Sequence, residues 1–144
     1  VMGPESSDQV PALISCMAKP VSANYCGRAL VKAVGPKAVK QVPALAAAVK
    51  SRDALTRVYA ITALGQIGPK AKKAVAALVE ALKSQDAGTR LNAAQALGAI
   101  GSKAKEAVLA LEAAKSDANA EVARAAEEAL AKMSARPGKK AGKS

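Results

Sequence analysis

The sequence predicts an all-α protein, a solenoid of about four two-helix hairpins stacked side by side. Three observations carry this expectation. Residues 63–73 read ALGQIGPKAKK and residues 96–106 read ALGAIGSKAKE, so Leu64 recurs as Leu97, Ile67 as Ile100 and Lys70 as Lys103, all at one interval. A fixed period, here about 33 residues and within the range of roughly 20–50, marks a stacked-repeat architecture. The composition is 51% apolar without a single Phe, Trp or His, and Tyr25 and Tyr59 are the only aromatic residues. A core of Ala, Leu, Val and Ile suits closely approaching helices, Ala and Leu are strong helix formers, and no alternating strand pattern is present. Gly-Pro steps at 35–36 and 68–69 close successive hairpins, because Gly suits the position after a helix and Pro cannot continue one.

The units follow in order. Residues 1–8 form an N-terminal extension. Unit one, about 9–35, opens with Val10-Pro11-Ala12-Leu13, which matches Val42-Pro43-Ala44-Leu45, and ends with Val34-Gly35-Pro36-Lys37, which matches Ile67-Gly68-Pro69-Lys70 after a slip of one position. Unit two, about 42–68, has Val42, Leu45, Ala46 and Val49 on one face of its first helix, and Pro43 fits the first turn, where its missing N–H costs nothing. Ser51-Arg52-Asp53 breaks the run. A second helix starts near Leu55, with Ala60, Ile61, Leu64 and Ile67 on its apolar face. Unit three, about 75–101, repeats this with Val75, Leu78, Val79 and Leu82, then Ala93, Ala94, Leu97 and Ile100. Unit four, about 107–133, is degenerate: Glu112 and a shifted Lys115 stand where unit three has Val79 and Leu82, as expected of an end unit with no outer neighbour. Residues 134–144 are a small, basic, Pro- and Gly-containing tail, expected to be disordered on its own.

The phrase from Asp86 to Gly101, DAGTRLNAAQALGAIG, resembles the HEAT-like repeats of the short kind found in phycobilin lyase subunits and many bacterial repeat proteins. Asp53-Ala54-Leu55-Thr56-Arg57 through Gly68 is a second copy. Unit one lacks the Asp and Arg, and unit four has Asn119 and Val122 with Arg124 one place late. The Thr-Pro-Leu-His signature of ankyrin repeats and the Trp and Tyr of tetratricopeptide repeats are absent. The resemblance implies a right-handed α-solenoid whose second helices line the concave side. It implies binding and scaffolding as the commonest role; some relatives attach bilins and some excise alkylated bases, activities that fold alone does not transfer.

The net charge is +11, from 22 basic and 11 acidic residues; Arg136, Lys139, Lys140 and Lys143 belong to the tail, leaving 18 bases and 11 acids in residues 1–133. This balance favours an acidic partner, whether protein, nucleic acid or anionic lipid, or serves solubility alone. Lys37, Lys70 and Lys103 hold equivalent positions, so stacking sets them in a row; Lys40 with Lys73, and Lys50 with Lys83 and Lys115, form further rows. Interleaved aromatic side chains for stacking bases and Arg forks for base reading are missing, which argues against sequence-specific nucleic acid binding and leaves phosphate contact open. By elimination the concave strip consists of Val58, Tyr59, Thr62 and Gln66, then Leu91, Asn92, Gln95 and Ala99. It is uncharged and amphipathic, with Tyr59 as its largest candidate anchor. The repeated Asp53/Arg57 and Asp86/Arg90 pairs read either as an anion site or as helix caps with a ladder between repeats.

Cys16 and Cys26 are the only thiols, one on each helix of unit one across a turn near Lys19-Pro20; they can form a disulfide that staples that unit or serve as small buried residues. Two thiols and no His make a poor zinc site. Without His, a nucleophile–base pair or a Gly-rich phosphate loop, catalysis lacks its usual groups, and no cofactor is expected. No apolar run reaches the ~18–20 residues of a membrane span, and no helix combines a cationic face with large apolar anchors. The chain opens with Val1 rather than Met, which points to either a removed signal peptide or a longer parent chain; with the cysteine pair this favours an exported mature protein. The expected function is a non-catalytic scaffold, adaptor or assembly subunit on a larger acidic complex. The alternatives are a sequence-nonspecific polyanion binder and a bilin-lyase-type subunit. Oligomeric state is not legible in the sequence.

Overall fold

The computed structural model describes residues 10–17, 19, 23–34, 36–101 and 104–135. Eight α-helices follow one another among them: α1 (Val10–Met17), α2 (Ala23–Ala33), α3 (Val42–Ala48), α4 (Ala54–Ile67), α5 (Val75–Ala81), α6 (Ala87–Ile100), α7 (Lys105–Ala114) and α8 (Ala120–Ala135). No strand occurs among the described residues. Each odd-numbered helix pairs with the helix after it, and each hairpin stacks on the next, giving an all-α solenoid.

Local chemistry sets the helix ends. Asp53 and Asp86 are extended residues whose carboxylates accept the N–H of Thr56 at 2.9 Å and of Thr89 at 3.0 Å, capping α4 and α6. At the other end the chain must turn with φ positive. Gly68 (φ 77°) and Gly101 (φ 68°) supply that conformation without a Cβ clash. The linkers into α3 and α5 are more than simple loops. Residues Pro36–Gln41 and Gly68–Ala74 wind into 3-10 turns that lead into these helices. In the second, Ala71 and Ala74 are fully buried, so the turn plugs the seam between hairpins as well as linking them. The last helix runs to Ala135, into the stretch expected to be tail; the position matching Gly101 is Ser134, whose hydroxyl donates to the Leu130 carbonyl at 3.1 Å.

The core is one continuous aliphatic seam. Leu30, Leu45, Ile61, Leu64, Leu78, Leu97 and Leu111 have no solvent-exposed surface. At ~1.5–3 kcal/mol for each buried large side chain, this seam is the main source of stability. The even-numbered helices approach one another more closely than the odd-numbered ones. Small residues permit it: a Cβ placed on Gly98 would meet the Ala129 Cα at 2.9 Å, and one on Gly65 would meet the Ala96 Cα at 3.4 Å. The layer of α2, α4, α6 and α8 is thus the tighter one and is called here the inner face.

Candidate functional site

Between hairpins the polar groups build a ladder from a repeated Ser-x-Asp-x-x-Thr-Arg phrase, Ser51 to Arg57 and Ser84 to Arg90. The Asp86 carboxylate accepts from both the backbone N–H and the hydroxyl of Thr89, the latter at 2.7 Å, and the Arg57 Nε–H donates to that same hydroxyl oxygen at 3.1 Å. Arg57 also donates to the carbonyls of Ser51 and Arg52, each at 3.0 Å. One unit on, Arg90 donates to the Ser84 and Gln85 carbonyls and forms a two-pronged pair with Asp117 at 2.8 and 3.0 Å. Asp117 in turn accepts the N–H of Asn119, whose own side chain caps α8. These guanidinium groups are occupied by protein, so the Asp/Arg pairs are structural and offer no anion site. The Thr89 hydroxyl and then its backbone N–H hold the Asp86 carboxyl below its ordinary pKa; the Arg90 side chain does the same to Asp117, followed by the Asn119 N–H, and Asp117 raises Arg90.

Composition and spacing do not single out Thr89 or Asp117, yet both are central to the ladder. Thr89 is fully buried and polar, and Asp117 holds the register of Ser84 one repeat on, where a neutral group becomes a charged acceptor. The Thr directly before each Arg, repeated in both copies, is the signal that could have found the first of them.

The inner strip comes together between α4 and α6. Thr62 and Gln66 from α4, and Asn92, Gln95 and Ala99 from α6, line a shallow open groove whose floor is Gly65 and Ala96. Gln66 and Gln95 are exposed; Val58, Thr62, Leu91 and Asn92 are half-buried. The Asn92 amide donates to the Gly88 carbonyl at 2.7 Å, which fixes its orientation. The groove exists because Gly65 places no side chain there. Tyr59 is also half-buried: its ring lies over Gly27 of α2, where a Cβ would fall inside the ring. It contributes to the seam between the first two hairpins as well as to the strip.

Of the lysine rows, Lys70, Lys40, Lys73, Lys50, Lys83 and Lys115 are exposed; Lys83 and Lys115 pair with Glu80 at 3.7 Å and Glu112 at 3.1 Å. The side chain of Lys37 lies outside the described residues, as do Lys103, Lys139 and Lys140, so their rows are not described. The sulfurs of Cys16 and Cys26 are bonded, with their Cα atoms 5.9 Å apart. No cluster of potential metal ligands occurs among the described residues, and no described helix is long and apolar enough to cross a membrane.

A tandem of helix hairpins with a shared aliphatic seam and an uncharged inner groove defines the class: an α-solenoid repeat protein that presents a surface. The particular kind follows from comparison. A family model described as HEAT repeats matches residues 42–131, and the chain belongs to the HEAT-repeat family. Among solved structures, the crystal structure of an engineered protein from the Northeast Structural Genomics Consortium is similar at 27% identity and a TM-score of 0.55. That match covers 91% of this chain and 57% of the engineered one, so this chain spans little more than half of its length. No curated protein matches. HEAT repeats generally serve as scaffolds for protein–protein interaction, and their solenoids are typically non-catalytic.

Proposed function

We propose that this chain is a non-catalytic scaffold or adaptor that docks on a larger acidic protein complex through the groove between α4 and α6. The observation that carries this reading is the groove itself: an uncharged inner strip with the carboxamides of Gln66 and Gln95 exposed along an apolar floor. Carboxamides both donate and accept, so they suit a peptide backbone or polar side chains of a partner. Around this neutral strip the chain's net charge of +11 supplies attraction to an acidic partner and a faster encounter. Tyr59, Val58 and Leu91 add apolar contact at the strip's edge, and Lys70 and the lysines of the tail, Lys139 and Lys140, add charge.

The test begins with capture on the immobilised wild type and on a Gln66→Met/Gln95→Met variant, which removes the two carboxamides without changing charge or touching the core. The protein retained is then titrated by calorimetry at ~50 and ~500 mM salt, a range that shortens the Debye length severalfold. The reading predicts an acidic partner, at least about tenfold weaker binding at high salt, and a similar loss in the variant. A salt-independent complex, or equal affinity for both proteins, contradicts it.

Polyanion binding is the second reading, favoured by exposed Lys70, Lys72 and Lys73 within the short Gly68–Ala74 segment. A gel shift with random DNA, RNA and heparin at the same two salt concentrations separates it from protein docking. The bilin-lyase-type reading rests on the Asp86–Gly101 phrase, and a bilin absorbance change on mixing is its test.

A further inference from the structure

We propose that the two ends of the stack are complementary, so that the first hairpin of one copy seats on the last hairpin of another and the solenoid continues from chain to chain. This goes beyond the groove reading and rests on different residues.

The interior of the stack shows which positions look forward and which look back. Gly65 of α4 meets Ala96 of α6, and Gly98 of α6 meets Ala129 of α8, so residues 65 and 98 face the following hairpin and residues 96 and 129 face the preceding one. Tyr59 likewise looks back onto Gly27. In the groove between α4 and α6, Ile61, Thr62 and Gly65 look forward while Asn92, Gln95 and Ala96 look back.

The same registers can be followed to both ends. In α2, Tyr25 aligns with Tyr59 and buried Leu30 with buried Leu64, at one shared interval. That alignment puts Arg28 at the register shared by Thr62 and Gln95, Ala29 at that of Ala63 and Ala96, and Lys32 at that of Gln66 and Ala99; Gln95, Ala96 and Ala99 border the groove from its following side, so the matching residues of α2 look back. No described helix precedes α2 on this side. Tyr25 is 79% exposed, and with Arg28, Ala29 and Lys32 it lines an open hollow. At the far end Val108, Leu130 and Met133 stand one repeat after Val75, Leu97 and Ile100, which unit four covers to 4%, 0% and 2% exposure. Here the three line a second open hollow with Glu112 and Ser134; Met133 stays buried at 3%, while Val108 and Leu130 are only half-buried. The last hairpin therefore retains an apolar seam with no described hairpin on it.

Charge names the occupant. Glu127 and Glu128 hold the forward-looking registers of Ile61 and Thr62, and both are exposed. A hairpin seated there brings its back-looking residues opposite them, and in this chain's first hairpin those are Arg28 and Lys32. The neighbouring cation Lys132 leaves the opening clear, because its stem lies over Gly98, towards α6. Arg124, exposed at the register of Leu91, lies one turn before Glu127 and Glu128 on α8, so that edge carries one cation beside two carboxylates. A second copy thus offers an aromatic and two cations to an apolar seam edged by two carboxylates. A contact between unlike surfaces is heterologous and continues past two copies unless the rotation closes it into a ring.

Sedimentation velocity on the full chain tests this, under non-reducing conditions at ~0.1 M salt, where surface charges still act over ~10 Å. The weight-average mass is expected to rise from 14.4 kDa with concentration and to pass that of a dimer. Arg28→Glu/Lys32→Glu and Glu127→Lys/Glu128→Lys, checked for native helicity by circular dichroism, should each associate at least about tenfold more weakly alone, since both ends then carry like charge. Mixed one to one, the two variants should recover association, because each end again meets its opposite. A wild type that stays monomeric at millimolar concentration, variants that associate as the wild type does, or a mixture that fails to recover overturns the proposal.

Discussion

Gly65 and Gly98 hold the same place in successive repeats, yet the structure gives their alanine variants opposite signs. Both lie inside fourteen-residue helices, where replacing Gly by Ala gains about 0.5–1 kcal/mol of backbone entropy. At Gly65 the added methyl meets the Ala96 Cα at 3.4 Å and its Cβ at 3.5 Å, ordinary contact that costs nothing. Gly65→Ala should therefore stabilise the fold by about 0.5–1 kcal/mol, or roughly 2–4 °C in Tm for a domain of this size. At Gly98 the methyl meets the Ala129 Cα at 2.9 Å and its Cβ at 3.0 Å. A backbone atom cannot swing aside, so α6 and α8 must separate, and overpacking of that kind costs about 1–3 kcal/mol. The propensity term is common to both variants and cancels in their difference. Gly98→Ala should therefore fall below Gly65→Ala by about 1–3 kcal/mol, measured by urea unfolding followed by circular dichroism with m unchanged. If Gly98→Ala is as stable as Gly65→Ala, the close approach of α6 and α8 assigned to this seam is wrong.

Leu97→Ala should cost about 2–5 kcal/mol in the same unfolding assay, since Leu97 is fully buried and the hole cannot close without shifting two helices. Thr89→Val keeps the shape but removes the hydroxyl that joins Asp86 to Arg57, and a loss of about 1–2 kcal/mol is expected; a neutral substitution would mean that the ladder adds nothing. Acid should destabilise the fold through Asp86 and Asp117. Their folded pKa values lie below the unfolded ones, so their contribution is complete above the unfolded value of ~3.9 and is lost as pH falls through the folded values. The Tm should be flat from pH 7 to about 5 and drop below about 4, with a shallower drop in Asp117→Asn. The Cys16–Cys26 bond closes a loop of separation 10, worth about 2–3 kcal/mol by chain entropy, so reduction should lower the midpoint accordingly. A free-thiol titration of the unreduced protein that returns two thiols would refute the staple.

The stack was legible because its periodicity is written twice in nearly identical letters: Leu64 and Leu97 repeat, so do Asp53 and Asp86, and both pairs fall in equivalent surroundings. The inner strip was legible for a related reason. Once the buried positions are assigned, Thr62, Gln66, Asn92 and Gln95 are what remains on the second helices. Other features depend on contacts between repeats, which a period does not reveal. Tyr59 reads as an exposed aromatic until Gly27, on the preceding hairpin, is seen to leave room for its ring. The Arg57 guanidinium reads either as an anion site or as a rung between repeats, and the Ser51 and Arg52 carbonyls with the Thr89 hydroxyl decide for the rung. The 3-10 turns escaped because Gly-Pro signals where a helix stops and not how the next residues wind, and the burial of Ala71 follows from its neighbours.

The central claim is that consecutive hairpins share one tightly packed inner seam. Nuclear Overhauser contacts in the folded protein test it most directly. The account predicts contacts from the Gly27 Hα to the Tyr59 ring, from the Gly65 Hα to the Ala96 methyl and from the Gly98 Hα to the Ala129 methyl, one for each junction. Intact helices without these three contacts would contradict it.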